Sequence, residues 1–256
     1  IRTMLNRHME MEIPPESYVI PIIYKRFLVY QKAPWEILVQ IILGTFASHP
    51  YFKFWKLDLT PLFYPLISIE PKKRNLFTIV NRVYKHYAIT RGKNIKMWGD
   101  KTPLNTYYIK QLDRMFDKPK YIHLSRDGRD VAASMMKNNL APNLKAAADR
   151  WLHAIKTARS FKKKYPNRLI TIEYEKLVSG TKEELKRVSE YLNVPYQATM
   201  LDHTYNVDQL GDNIFKHHSN LKNEVSNKSV GKWKYFFSNE DSHWKNYYLT
   251  DEIKRN

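Results

Sequence analysis

Short apolar runs that pass through charged turns into helices of ten or more residues leave this chain few ways to fold. Residues 120–135, KYIHLSRDGRDVAASM, show the pattern at its sharpest. KYIHLS reads as a strand, Arg126 to Asp130 as a charged turn, and DGRDVAASMMKNNL as a helix. IKMWGDKTP reads as a short buried strand ending in a Gly-Asp turn. A helix over NTYYIKQLDRMF follows, with Tyr108, Ile109, Leu112 and Met115 or Phe116 on one face. A long helix over NLKAAADRWLHAIKTARSFKKKYP ends at Pro166. RLITIEYEKL is a third strand, and TKEELKRVSEYLNV is a helix capped by Thr181, with Glu184 at the capping-box position. Strands alternating with helices of this length form βαβ units and a parallel sheet. Ligands of such sheets bind beyond the carboxyl ends of the strands. Three strand ends therefore matter: Gly99 to Lys101, Ser125 to Arg126, and Tyr174 to Lys176.

Elsewhere the pattern is weaker. Ile1, Met4, Leu5 and His8 share one face of an amphipathic helix of two turns. No capping residue precedes it, and the expectation is that the natural protein continues upstream of Ile1. EIPPES is a Pro-Pro turn. Residues 19 to about 60 read as short helices, and 76 to 91 as another helix. PYFKFWKLDL alternates aromatic residues with lysine. It reads as a short strand or an aromatic-basic face for stacking on bases, but the favoured reading is packing under a loop. With no internal repeat and no low-complexity linker, the 256 residues fit one domain.

Lys and Arg number 43 against 25 Asp and Glu, a net charge of +18 that points to an anionic partner. Nucleic acid, nucleotides, acidic glycans and a membrane surface all qualify. The absence of cysteine excludes disulfides, thiol catalysis and cysteine zinc sites. It also favours a reducing compartment, so the expected location is cytoplasmic. The alternative is a lumenal catalytic fragment of a secretory-pathway enzyme. No apolar run approaches the roughly 20 residues of a membrane span. The nine histidines, His217 and His218 included, lack ligand spacing with a carboxylate, so no metal is expected.

Charge at the end of a buried strand needs a partner. Asp127 suits an N-cap, and Gly128 permits a tight turn from strand to helix. The helix N-terminus favours an anion, and the Arg126 guanidinium suits a phosphate. Ser134, two helical turns on, can offer a hydroxyl to the same anion. On these residues alone an equally good reading pairs Arg126 and Arg129 with Asp127 and Asp130 on the surface.

RDGRDVAAS resembles the 3′-phosphate-binding motif of sulfotransferases that use 3′-phosphoadenosine-5′-phosphosulfate (PAPS). MLNRHMEMEIPPESYVIP, GDKTP, RLITIEYEKLV and SVGKWKYFFS resemble further blocks of the broad group that includes bacterial enzymes and tyrosylprotein sulfotransferases. The blocks stand in family order, in patches from Ile1 to about Asp241, and the likeness is weak between roughly 22 and 95. The resemblance implies an α/β, P-loop-kinase-like three-layer sandwich with a central parallel sheet. It implies a single sulfotransferase-like domain over 1–256, with a helical acceptor-side region at about 22–95. The family's first strand and phosphosulfate-binding loop have no counterpart in the chain and would belong upstream of Ile1.

Roles follow position by position from the same resemblance. Glu16 matches the acidic residue that acts as base in the tyrosylprotein branch, and Lys101 a lysine near the transferring sulfuryl group. Arg126 and Ser134 match the residues that hold the 3′-phosphate, and Tyr174 a tyrosine of the adenine site. Ser229, Gly231, Lys232 and Trp233 match a late loop that closes over the nucleotide. Read without the family, Glu16 would be a first-turn acid, Lys101 a solvated lysine and Tyr174 a core residue. The implied reaction moves a sulfuryl group in line from PAPS to a hydroxyl or amine acceptor, without a metal. A carbohydrate, a lipid, a small metabolite and a protein tyrosine all qualify as acceptor. Two alternatives stand beside it: a non-catalytic nucleotide- or glycan-binding relative, and a basic nucleic-acid-binding protein.

Overall fold

The fold is that of a computed structural model, in which residues 1–202 and 226–237 are described. By its contacts the chain divides into two compact units. One comprises Ile1–Lys118 with Gln197–Lys222, the other Pro119–Tyr196 with Asn223–Asn256.

The first unit opens with α1 (Arg2–Leu5), one turn rather than two. The expected face is buried all the same, through Met4, Leu5 and His8. The helix stops because Asn6 is drawn to another part of the backbone. Its Oδ1 accepts from Ile13 N–H at 2.7 Å and its Nδ2 donates to Ile13 O at 2.9 Å. Short amide side chains compete with helical hydrogen bonds in this way. The chain then forms β1 (Met11–Glu12), which the sequence did not announce. Helices α2 (Ile20–Tyr30), α3 (Trp35–Ser48), α4 (Phe63–Ile67) and α5 (Leu76–Thr90) follow. Asn75 caps α5 by accepting from Thr78 N–H at 2.9 Å. β2 (Met97–Trp98) pairs in parallel with β1, Met11 opposite Met97 and Glu12 opposite Trp98, and α6 (Ile109–Met115) follows.

PYFKFWKLDL is not a strand. Phe52–Trp55 is a 3₁₀ turn that buries Phe52 and Trp55 beneath the loop, as the favoured reading had it. The Trp55 ring meets Phe46, Tyr84 and Tyr87 at centroid distances of 6.2, 5.0 and 5.1 Å. This aromatic core is the floor on which the Pro14-Pro15 turn rests, since Trp55 Nε1 donates to Pro15 O at 2.9 Å.

The second unit holds β3 (Tyr121–Ser125), α7 (Gly128–Lys137), α8 (Leu144–Lys164), β4 (Leu169–Glu173), α9 (Tyr174–Ser179), α10 (Thr181–Leu192) and α11 (Trp233–Phe236). β3 and β4 pair in parallel over five residues, from Tyr121 opposite Leu169 to Ser125 opposite Glu173. The alanines of α7 and α8, Ala132, Ala133, Ala147 and Ala148, let the two helices pack closely around Trp151 and Ile155. The long helix ends at Lys164, with Tyr165 as its C-cap before Pro166, as expected.

The capping box expected at Thr181 does not form. Gly180 takes the cap position, and the Thr181 hydroxyl donates back to Leu177 O at 2.8 Å. Glu184 pairs with Arg187 instead, at 2.6 Å. The reason is that α9 ends immediately upstream and leaves carbonyls that the threonine satisfies. Among the described residues no helix is long and apolar enough to cross a membrane.

Candidate functional site

In the first unit, Glu16 follows the Pro-Pro turn and is only 6% exposed. Its Oε1 accepts from Lys101 Nζ, bringing together two residues 85 positions apart. Its Oε2 accepts from the Tyr18 hydroxyl at 2.6 Å. Tyr18 has a backbone φ of 55°, the left-handed region that a bulky residue seldom adopts. Its ring packs against Tyr51 at a centroid distance of 4.6 Å.

A second carboxylate steadies the first. Asp100 accepts from Ser17 Oγ at 3.2 Å, Tyr84 OH at 2.7 Å and Asn105 Nδ2 at 2.6 Å. Ser17 adjoins Glu16 and Asp100 adjoins Lys101, so this stitch sets the two segments in register. Trp98 stacks on Tyr84 at 4.2 Å and donates from Nε1 to Asn81 at 2.8 Å. Behind the stitch, Gly99 lets the two strands approach closely, because a Cβ there would lie 3.2 Å from the Ile13 side chain. Burial, then the Glu16 carboxylate, push the Tyr18 phenol well above the usual tyrosine range. Burial and Asp100 do the same to Tyr84. Both phenols therefore remain hydrogen-bond donors.

In the second unit, Arg126 lies at the end of β3. Its guanidinium stands 4.6 Å from the Tyr174 ring centroid and 3.4 Å from the Asp130 carboxylate. It donates from Nη2 to Ser229 O. Its Nε is buried and has no partner among the described residues. Asp127 caps α7, accepting from Arg129 N–H at 2.8 Å, and its carboxylate also holds the Arg129 guanidinium. Arg129 in turn lies 4.2 Å from the Trp233 ring centroid.

Asp130 is not the surface ion-pair partner that the residues alone allowed. Its side chain is fully buried. Oδ2 accepts from Gly231 N–H at 2.8 Å and Oδ1 from Trp233 N–H at 2.9 Å. Gly231 has φ of +75°, which turns the segment so that both amides meet one carboxylate. Arg126, Tyr174, Ser229, Gly231 and Trp233 thus belong to one cluster. Lys232 sits at the start of α11 with its side chain exposed. Ser134 is exposed on α7, its carbonyl accepting from Asn138.

Several members of the two clusters carry no signal of their own in the sequence. Tyr18, Ser17 and Tyr84 are ordinary residues until the backbone turns them inward. Asp100 stood in the GDKTP block beside Lys101, and Asp130 four residues after Arg126, and that spacing was the available clue. Glu175, which accepts from Asp127 N–H at 3.0 Å, had none. Among the described residues no group of three or more His, Asp and Glu could hold a metal ion. His217 and His218 lie outside the described residues.

The profile described as the sulfotransferase family matches residues 1–198. A Caenorhabditis elegans protein with the provisional name protein-tyrosine sulfotransferase is 24% identical over 152 residues, 55% of this chain and 58% of that protein. A Caenorhabditis briggsae protein of the same name is 25% identical over 150 residues, 55% and 53% of the respective chains. The matched region thus spans little more than half the length of these relatives. Among solved structures, the sulfotransferase domain from the Synechococcus PCC 7002 olefin synthase superposes with a TM-score of 0.65 at 15% identity. That match covers 99% of this chain and 86% of the other. The sulfotransferase domain from the curacin biosynthetic pathway gives 0.64 at 19% identity, over 99% and 89%. The shared fold is the P-loop-kinase-like α/β fold of sulfotransferase domains. With 198 of its residues matched from the first onward, the chain belongs to the sulfotransferase family.

Proposed function

We propose that residues 1–256 act as one sulfotransferase-like domain that moves a sulfuryl group from PAPS to an acceptor hydroxyl. The observation that carries this reading is the Glu16–Lys101 pair, a buried carboxylate held by an ammonium from a distant part of the chain. Glu12 is buried against Lys93 as well, but that ammonium also donates to the carbonyls of Asn6 and Met11 and is the less exposed of the two lysines. Lys101 is the more open, and desolvating such a carboxylate costs several kcal/mol. A carboxylate on a proline-fixed turn is suited to accept the acceptor's proton as its oxygen attacks. Lys101 is 38% exposed against 6% for Glu16, so its ammonium can also serve negative charge that develops on the donor's bridging oxygen.

The second cluster supports an adenine nucleotide with a 3′-phosphate. Arg126 has a buried Nε without a partner, a donor position that an anion would satisfy. The aromatic face of Tyr174 and the Ser229–Trp233 segment are suited to a base and its ribose phosphate. Ser134 would add a hydroxyl. The names of the nematode relatives favour a protein tyrosine as acceptor.

The test is Glu16→Gln in the full-length protein, assayed with PAPS and a tyrosyl peptide. Turnover falls about 10²-fold or more, while affinity for adenosine 3′,5′-bisphosphate stays near wild type. Turnover near wild type would remove Glu16 from the reaction.

A further inference from the structure

Glu16 is bracketed by two donors, one on each oxygen, and they differ in kind. Lys101 is a partly exposed ammonium on Oε1. Tyr18 donates a neutral hydroxyl to Oε2 from a residue held at φ 55° and packed against Tyr51 at 4.6 Å. A left-handed backbone at a bulky residue persists only where its surroundings over-determine it, and such residues gather at functional sites. Here the consequence of the strained conformation is that a phenol only two residues from the carboxylate folds back onto it.

We propose that Tyr18 is the positioning residue of the Glu16 carboxylate. Its hydroxyl pins Oε2 so that the carboxylate keeps one rotamer when Lys101 leaves Oε1, and the lone pairs left free point in one fixed direction for an acceptor hydroxyl. Tyr18 takes no proton itself, since the phenol stays protonated as a donor. The proposal rests on Glu16 as the proton acceptor. It adds that an unpinned Glu16 is a slow one, because a misoriented base loses rate without losing substrate.

Tyr18→Phe removes one oxygen and keeps the ring, its packing on Tyr51 and the backbone. With PAPS and a tyrosyl peptide, kcat falls about tenfold while KM for the peptide and affinity for adenosine 3′,5′-bisphosphate stay within about twofold. Added to Glu16→Gln, the same change costs nothing further, because its effect passes through Glu16. A tenfold loss that persists in the Glu16→Gln background overturns the proposal, as does a loss expressed in KM alone.

A second measurement needs no acceptor. Tyrosine labelled with 13C at Cζ reports each phenol, and the Tyr18 signal is assigned by its absence in Tyr18→Phe. In Glu16→Gln the Tyr18 titration begins at lower pH than in the wild type, because the adjacent negative charge is gone, while burial still holds it above the ordinary tyrosine range. An unmoved titration shows that the two groups are not coupled and overturns the proposal. Failure of the Glu16 reading looks different: Glu16→Gln keeps wild-type turnover while the Tyr18 titration still moves. In that case the positioning role falls with the reading, and only the contact remains.

Discussion

Of the carboxylates this protein buries, Asp130 in one unit and Glu16 in the other are held in opposite ways. Asp130 accepts from the backbone N–H groups of Gly231 and Trp233 and faces Arg126. Glu16 accepts from two side chains, Lys101 and Tyr18. Backbone partners cannot leave without unfolding the segment that carries them. Side-chain partners can swing away. A carboxylate held by backbone amides is therefore part of the architecture, whereas one held by an ammonium and a phenol can be uncovered for chemistry. Burial alone does not separate the two cases, and the identity of the partners does.

Substitutions can break or sharpen that contrast. Asp130→Ala has the largest expected effect on stability. It leaves two amides without their acceptor and removes the ion pair to Arg126 in a buried site, and should cost about 3–5 kcal/mol in denaturant unfolding. If the loss is under about 1 kcal/mol, Asp130 is not architectural and the contrast fails.

Acid tests the strand that carries this framework. Burial, aided by Lys162 and Arg159, holds His123 of β3 down at about 4. The unfolded chain protonates near the ordinary value of about 6.5, so it binds more protons than the folded state between the two values. The contribution of His123 is therefore fully present above about pH 6.5 and is lost as pH falls towards 4, by roughly 2–3 kcal/mol. His123→Gln should flatten the dependence of unfolding free energy on pH across that window. An unchanged slope would show that the imidazole is solvated.

Arg126→Ala probes the anion contact. It should weaken adenosine 3′,5′-bisphosphate by about 1.5–3 kcal/mol and adenosine 5′-phosphate much less, read by calorimetric titration. Equal losses for both nucleotides would mean that Arg126 does not read the 3′-phosphate.

Glu16→Gln has the smallest expected effect on stability, within about 1 kcal/mol, because an amide oxygen can still accept from Tyr18. That variant combines a folded protein with lost turnover. A stability loss matching that of Asp130→Ala would place Glu16 with the architecture instead.

The helices and the longer strands were legible because their signals are local. The faces of α5, α7 and α8 and the runs of β3 and β4 each repeat with the period of their own element. β1 was not legible, because a two-residue strand has no period. It exists because the edge of β2 captures its backbone, with the Asn6 side chain holding Ile13 just beyond it. The lost capping box at Thr181 has the same origin, since a neighbouring helix end competed for the hydroxyl.

The candidate sites divide along the same line. Sequence by itself determined the charged turn after β3, the Pro-Pro turn before Glu16 and the family whose blocks these are. Such features lie within a few residues of one another, so their chemistry survives in the linear order. Only the tertiary structure decided that Asp130 is an internal latch rather than a surface partner, and that Tyr18 turns back onto Glu16. Whether a charge is buried depends on what packs over it, and whether a tyrosine reaches a carboxylate depends on a backbone torsion. Neither quantity is local, because both are set by residues tens to a hundred positions away: Trp55, Asp100, Lys101, Gly231 and Trp233.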